Sequence, residues 1–153
     1  LKKKLMSSFE STIEVRWSDC DLNRHVRHSA YYDYGAHTRM QFFLKIGFNT
    51  AKMEQLQIGP ILFKEECTFI KELKLEDVIQ INLSIGQISP DGSRWVLHHE
   101  IFNAAGEKCA HISVKGAWID LVKRKLTAPP TEILNAFDQL PKGEPYEHRS
   151  QKG

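Results

Sequence analysis

Two carboxylates, an amide and two imidazoles crowd one short run of this chain, Trp17-Ser18-Asp19-Cys20-Asp21-Leu22-Asn23-Arg24-His25-Val26-Arg27-His28-Ser29. An alternating apolar pattern (Ile13, Val15, Trp17) precedes the run, and a long apolar pattern from Tyr31 to Ile46 follows it. The first reads as a strand and the second as a helix, so the polar run is a loop ending at a helix N-terminus. Such a terminus presents backbone N–H groups without partners and positive dipole character, which suits a developing oxyanion. A carboxylate or imidazole beside it is an acid or base next to an oxyanion site, the arrangement acyl transfer requires. The same residues have a plainer use, because Asx and Ser side chains cap turns and loop imidazoles often simply face water.

At 153 residues the chain has the length of one domain with a core that needs no staples. Hydrophobic content of 41% against 26% charged residues is that of a folded globule rather than a disordered chain. A net charge of +2 makes no case for nucleic acid as a partner. Cys20, Cys67 and Cys109 are widely spaced and odd in number, so reduced thiols are expected. Flanked by Asp19 and Asp21, Cys20 is a poor nucleophile, since like charges raise a thiol pKa. No apolar run of signal-peptide length follows the opening Leu-Lys-Lys-Lys-Leu-Met, and no stretch approaches ~18 apolar residues. A cytoplasmic protein with no membrane partner is therefore the expectation. His98-His99-Glu100 lies in a strand pattern, where neighbours face opposite sides and cannot clamp one metal. Asp19, Asp21, His25 and His28 lack tetrahedral ligand spacing, so no metal is expected. Neither a nucleophile-elbow Gly-Xaa-Ser-Xaa-Gly nor a dinucleotide glycine fingerprint occurs.

The elements that must position the loop follow from periodicity. Glu10 to Ser18 reads as the first strand. A helix follows from about Ser29, a plausible N-cap, to Gly47, a plausible stop. It is apolar on most of its circumference, which predicts burial on most sides. Gly35 in its interior costs ~1 kcal/mol against Ala and predicts close backbone packing. After a variable stretch from Phe48 to Gly59, strands are expected at Ile61–Lys71, Val78–Ile88, Arg94–Phe102 and Lys108–Leu121, joined in hairpin order. A short helix spans Glu132 to Phe137. The expected organisation is an arm over 1–9, a domain over 10–140 and a polar mobile tail over 141–153. One helix cannot cover so long a sheet, and the leftover apolar surface and open edges predict a homodimer or homotetramer.

With its aspartate loop feeding a central helix, the chain resembles the hotdog-fold acyl-CoA thioesterases of the 4-hydroxybenzoyl-CoA thioesterase type. The motifs that carry the resemblance are Trp17-Ser18-Asp19-Cys20-Asp21, Asn23, His25-Val26, Tyr31-Tyr32-Asp33-Tyr34 and Arg39. It spans about residues 10 to 135. The resemblance implies an α+β fold, a five-stranded antiparallel sheet wrapped around a long central helix. It implies acyl-CoA hydrolysis without a cofactor, with Asp21 as nucleophile or general base. Asn23 and His25 assist, and backbone N–H groups near His28 and Ser29 hold the thioester oxygen. Tyr31 is the tyrosine expected to touch the acyl group. Arg94, Lys123 and Arg124 are the expected cations for the coenzyme A phosphates, although Lys123-Arg124-Lys125 also suits a merely solvated strand exit. Relatives of this branch follow His-Val with Asn. Here Arg27-His28 stands instead, with Arg27 expected to orient substrate or neighbouring carboxylates. Where other relatives carry catalytic glutamates on the helix, this chain has Ala36 and His37. The Arg27-His28 departure leaves a non-catalytic acyl-CoA binder or sensor as the alternative function.

Overall fold

The structure, a computed structural model, describes residues 9–147. Strand β1 (Phe9–Glu14) pairs antiparallel with β3 (Val78–Ile88), from Phe9 opposite Leu83 to Glu14 opposite Val78. It stops short of the expected Ser18 because its partner strand runs out at Val78. From there local bonding takes over: Trp17–Asp19 form a single 3-10 turn, with the Arg16 amide bonded to the Asp19 carboxylate. Trp17, expected on the inner face of a strand, is instead 82% exposed.

Helix α1 (His28–Lys45) begins one residue before the expected Ser29. Arg27 occupies the cap position without a side-chain cap. At the other end Gly47 adopts φ +84°, a left-handed conformation that glycine takes without steric cost. The close approach expected at Gly35 is present. A Cβ there would lie 3.3 Å from both Arg39 Nη1 and His99 Cδ2. The helix buries one face rather than most of its circumference: Ala30, Tyr31, Tyr34, Thr38, Phe42 and Phe43 are covered, while Leu44 is 48% exposed. The sheet covers one side of α1, and the exposed residues lie on the other.

The stretch read as variable contains a helix, α2 (Thr50–Leu56). None of its residues is buried, so there is no apolar stripe to betray it. It is set by its caps: Asn49 accepts from the Lys52 amide at 2.9 Å, and Gln57 closes it at φ +55°.

Strands β2 (Ile58–Phe69), β4 (Arg94–Phe102) and β5 (Lys108–Asp120) complete a sheet of order β1-β3-β4-β5-β2, with the two-residue β6 (Lys125–Leu126) on the end of β5. Only β3, β4 and β5 follow in hairpin order. The expected β2–β3 hairpin does not form; β2 pairs with β5, and residues 70–77 carry the chain across to the far side of the sheet. This crossing buries Leu73 completely, an apolar anchor that a hairpin turn would lack. Pro60 sits in β2 without penalty because β2 is an edge strand.

On the face toward α1 the clean alternation of β3 buries Ile79, Ile81, Leu83 and Ile85. Each fully buried large apolar side chain contributes about 1.5–3 kcal/mol. Phe43 and Phe48 close on Trp118 at ring-centroid distances of 5.6 and 5.9 Å, sealing the helix against the sheet. Helix α3 (Thr131–Gln139) adds Ile133 and Phe137 to this core. The stretch after α3, expected as the start of a mobile tail, lies beside β3. The Ile85 amide donates to Pro141 O at 2.9 Å and the Gly143 amide to Ile85 O at 2.8 Å. Most of the expected arm lies outside the described residues. Among the described residues no helix is long and apolar enough to cross a membrane.

Candidate active site

The loop between β1 and α1 is held from two sides. The Val26 amide donates to Leu73 O at 2.8 Å, and His25 makes an isolated bridge with Lys74. On the other side the Arg27 amide donates to Asp19 O at 2.8 Å. The crossing segment and the 3-10 turn thus fix where the polar side chains stand.

The two aspartates have opposite environments. Asp19 is 2% exposed, and its carboxylate accepts from the Arg16 amide at 3.0 Å and the Tyr34 hydroxyl at 2.9 Å. Burial pushes the Asp19 pKa upward, but these hydrogen bonds and the Arg16 cation outweigh it and hold the carboxyl below its usual range. The Tyr34 hydroxyl is pushed well above its usual range, by burial first and by Asp19 second. Asp21 is exposed. Its Oδ1 accepts from the amides of Asn23 at 2.8 Å and His25 at 3.3 Å, an Asx turn in which Arg24 takes φ +65°. No hydrogen bond engages its Oδ2 among the described residues.

Asp21, His25, His28 and Tyr31 line one cleft of about 410 Å³, facing Phe69 and Glu72. His28 and Ser29 supply the first backbone N–H groups of α1, which by geometry have no intrahelical acceptor. Tyr31 packs edge-on against Phe69 at 4.9 Å, and burial pushes its hydroxyl up to about 12, so it stays protonated. Arg27 turns back over the loop, donating from Nη1 to Ser29 Oγ at 2.5 Å and standing 3.9 Å from Asp33. Asn23 is exposed beside Asp21, held there by its own amide. The Cys20 thiol is raised by burial first and by the Asp19 and Asp21 carboxylates second.

One residue of this cleft is not singled out by the sequence. Glu72, in the crossing segment, places Oε2 3.0 Å from His25 Nε2. A ring nitrogen facing a carboxylate carries the proton, which leaves Nδ1 as the acceptor. No local spacing relates Glu72 to the loop; only the crossing of residues 70–77 joins them.

The basic candidates stand elsewhere. Phe69, at the cleft, pairs with Ala110 near the start of β5, whereas Arg94 pairs with Ala117 and the Lys123-Arg124 turn follows Asp120 at its end. At ~3.3 Å per residue, roughly 30 Å of strand separates that turn from the cleft in one chain. Asp120 Oδ1 accepts from the amides of Val122 and Lys123, both at 2.9 Å, and Arg124 takes φ +57°, so the turn is tightly shaped. Arg94 lies over Phe63 at 5.9 Å, beside Lys115, in a second cleft of about 320 Å³.

His99 packs toward α1, its Nε2 3.0 Å from Arg39 Nη1 and its Nδ1 2.8 Å from Asn82 O. Burial, then the Arg39 cation, pull its pKa down to about 3, so the ring is neutral, with Nδ1 donating and Nε2 accepting from Arg39. His98 and Glu100, one residue to either side, face away from α1.

A family model described as the thioesterase-like superfamily matches residues 15–137. A protein of Aquifex aeolicus (strain VF5) named "Putative esterase" is 25% identical over 125 residues, 80% of this chain and 92% of its own length. Among solved structures, a Staphylococcus aureus protein in complex with CoA superposes with a TM-score of 0.80 at 22% identity, covering 95% of this chain and 92% of its own. A 1,4-dihydroxy-2-naphthoyl-CoA thioesterase from Synechocystis does so with a TM-score of 0.78 at 18% identity, covering 86% and 96%. At these identities the two structures establish the shared hotdog architecture.

Proposed function

The chain belongs to the thioesterase-like superfamily, and on that premise we propose that it hydrolyses an acyl-CoA thioester to the free acid and coenzyme A. The observation that carries the reading is the sharing of one cleft by the exposed Asp21 carboxylate, the His25 imidazole and the first turn of α1. With Oδ1 tied to backbone amides, Oδ2 is the free oxygen. As general base it takes a proton from water while the hydroxide adds to the carbonyl carbon. As nucleophile it adds directly, and the adduct expels the coenzyme A thiolate to give an anhydride that water then opens. In either route the carbonyl oxygen gains negative charge beside the His28 and Ser29 N–H groups, where each well-placed donor contributes about 3 kcal/mol. The C–S bond then breaks and coenzyme A leaves as its thiol once protonated. In the general-base route that proton is the one Asp21 took from water, and in the other it is released when water opens the anhydride.

Thiol release from a panel of acyl-CoA esters, with an acyl-carrier-protein ester alongside, tests the reading. Turnover on at least one acyl-CoA is expected. Tight binding of acyl-CoA with no thiol released would replace it with the binder.

The Staphylococcus aureus structure was solved with CoA, which supports coenzyme A as the carrier here. Arg94, Lys123 and Arg124 lie too far from the Asp21 cleft of their own chain to grip that nucleotide there. They serve the reaction from a second copy. The open edge of β2, with Leu62 and Phe63 exposed, is the natural seam for a homodimer whose sheets run on from one another. Lys123→Ala and Arg124→Ala are expected to raise KM for acyl-CoA several-fold with kcat nearly unchanged, the pattern of lost uniform binding. Because exposed cation–phosphate contacts are screened by salt, wild-type KM should rise with ionic strength. A short acyl-pantetheine ester should respond to neither change. Light scattering should give at least twice the chain mass; a fully active monomer would overturn the shared site.

A further inference from the structure

On the face of the sheet turned away from α1, two imidazoles are buried together. His98 and His111 are 2% and 5% exposed; His98 Nδ1 lies 2.9 Å from Ser113 Oγ and 3.3 Å from His111 Nε2. An outer sheet face is ordinarily wet, so burial here needs a cover. The cover is residues 141–147. Gly143 is pressed so closely onto β3 and β4 that a Cβ there would overlap Ser84 and fall 3.1 Å from His98 Cδ2. Tyr146 tilts against the His111 ring at 5.9 Å, and Lys108 lies over Tyr146 at 5.5 Å.

The cover is held by little. Its backbone bonds to the sheet are the two at Ile85. Upstream, α3 is anchored by Ile133 and Phe137, which confines any opening to the residues beyond Leu140. Beneath it lies a cavity of about 400 Å³ bordered by Asn82, Ser84, Glu100 and Lys108. His111 Nδ1 is buried without a hydrogen-bond partner among the described residues.

We propose that residues 141–147 are a releasable strap, docked while the His98–His111 pair is neutral and freed when the pair takes up a proton. A proton arriving there charges a group that the strap has removed from water, 3.3 Å from a second imidazole. The charged groups around the pair come from β4, β5, β2 and the strap. β4 contributes Glu100, β5 contributes Lys108, and the strap contributes Lys142, Glu144 and Glu147 together with the Tyr146 phenol. β2 places Thr68 opposite His111 and Glu66 opposite Ser113, while β3 offers only the uncharged Asn82 and Ser84. Glu100 and Glu144 favour protonation of His98; its burial opposes it and prevails. For His111, burial and then Lys108 hold the ring down to about 4.

The direction follows from linkage. Docked imidazoles titrate below free ones, so docking is at full strength above the ordinary value near ~6.5 and weakens as pH falls toward the docked value. With the free value near ~6.5 and the docked His111 near about 4, docking weakens at least about tenfold by pH 5.

Amide hydrogen exchange reads the strap directly, because the Ile85 and Gly143 amides are the two it protects. In the wild type, protection at both should fall at least about tenfold between pH 7.5 and pH 5, while amides of β4 and β5 hold. His98→Gln/His111→Gln should flatten that dependence, and His111→Gln alone should weaken it. Gly143→Ala should leave both amides unprotected already at pH 7.5 with the rest of the sheet intact, a result that does not depend on the histidine variants folding. Constant protection from pH 7.5 to pH 5 in the wild type, or a double variant with the wild-type pH dependence, overturns the proposal. So does a Gly143→Ala chain that keeps the amides protected.

Discussion

Asp21→Asn is expected to lower thioester turnover at least about 100-fold without altering the fold, because it removes the only free carboxylate oxygen of the loop. The substitution conserves shape, and the amide oxygen of Asn can still accept from the Asn23 and His25 amides, so the Asx turn survives. What is lost is the capacity to attack a carbonyl or to take a proton from water. KM should change little, since the cleft walls remain. Circular dichroism and the unfolding midpoint should match the wild type, making turnover the sole casualty. A folded Asp21→Asn protein that retains turnover would reject the role given to Asp21.

Asp19→Ala carries the largest expected loss of stability, about 2–4 kcal/mol, because it strands the buried Tyr34 hydroxyl and the Arg16 amide without their acceptor. For a chain of this length that is a fall in Tm of roughly 5–15 °C. Tyr34→Phe removes only one of those bonds and should cost about 1 kcal/mol. Asp19→Asn should fall between, with turnover per folded molecule largely kept, which separates this aspartate from its neighbour. Since folding lowers the Asp19 pKa, its stabilisation is complete above the unfolded value of ~3.9 and is lost as pH falls through the folded value. The stability gap between wild type and Asp19→Asn, followed by urea unfolding, should therefore be flat from neutrality to about pH 4 and close below it. A gap that widens on acidification would contradict the assignment.

Much of this arrangement is legible in the amino-acid order. The alternation of Ile79, Ile81, Leu83 and Ile85 declares β3, and Gly47 marks the end of α1. Gly35 announces a close contact, and His99 with Arg39 supplies it. Periodicity reports which face of an element is apolar, and these features are of that kind. It carries no information on pairing between distant strands, so chain order alone hands β2 to β3 when its partner is β5. Trp17 continues an alternation whose strand has already lost its partner. Helix α2, with no buried side, leaves no apolar trace and is visible only through Asn49. The grouping of Asp21 and His25 at the start of α1 is readable because they are neighbours in sequence. Glu72 is not, because it meets His25 only through the crossing segment, and the distance of Lys123 and Arg124 from the cleft is a property of the sheet alone.

That crossing segment also sets when the cleft comes into being. The β3-β4-β5 meander closes through short turns and can assemble early, whereas β1 must find β3 and β2 must find β5 over long sequence separations. The loop bearing Asp21 is moored to Leu73 and Lys74, between those two late pairings. Its geometry therefore arrives last in folding, and in local unfolding it should be among the first to go. A chain emerging from the ribosome carries its acid–base residues well ahead of β5, yet cannot use them until β5 has been made and β2 has docked.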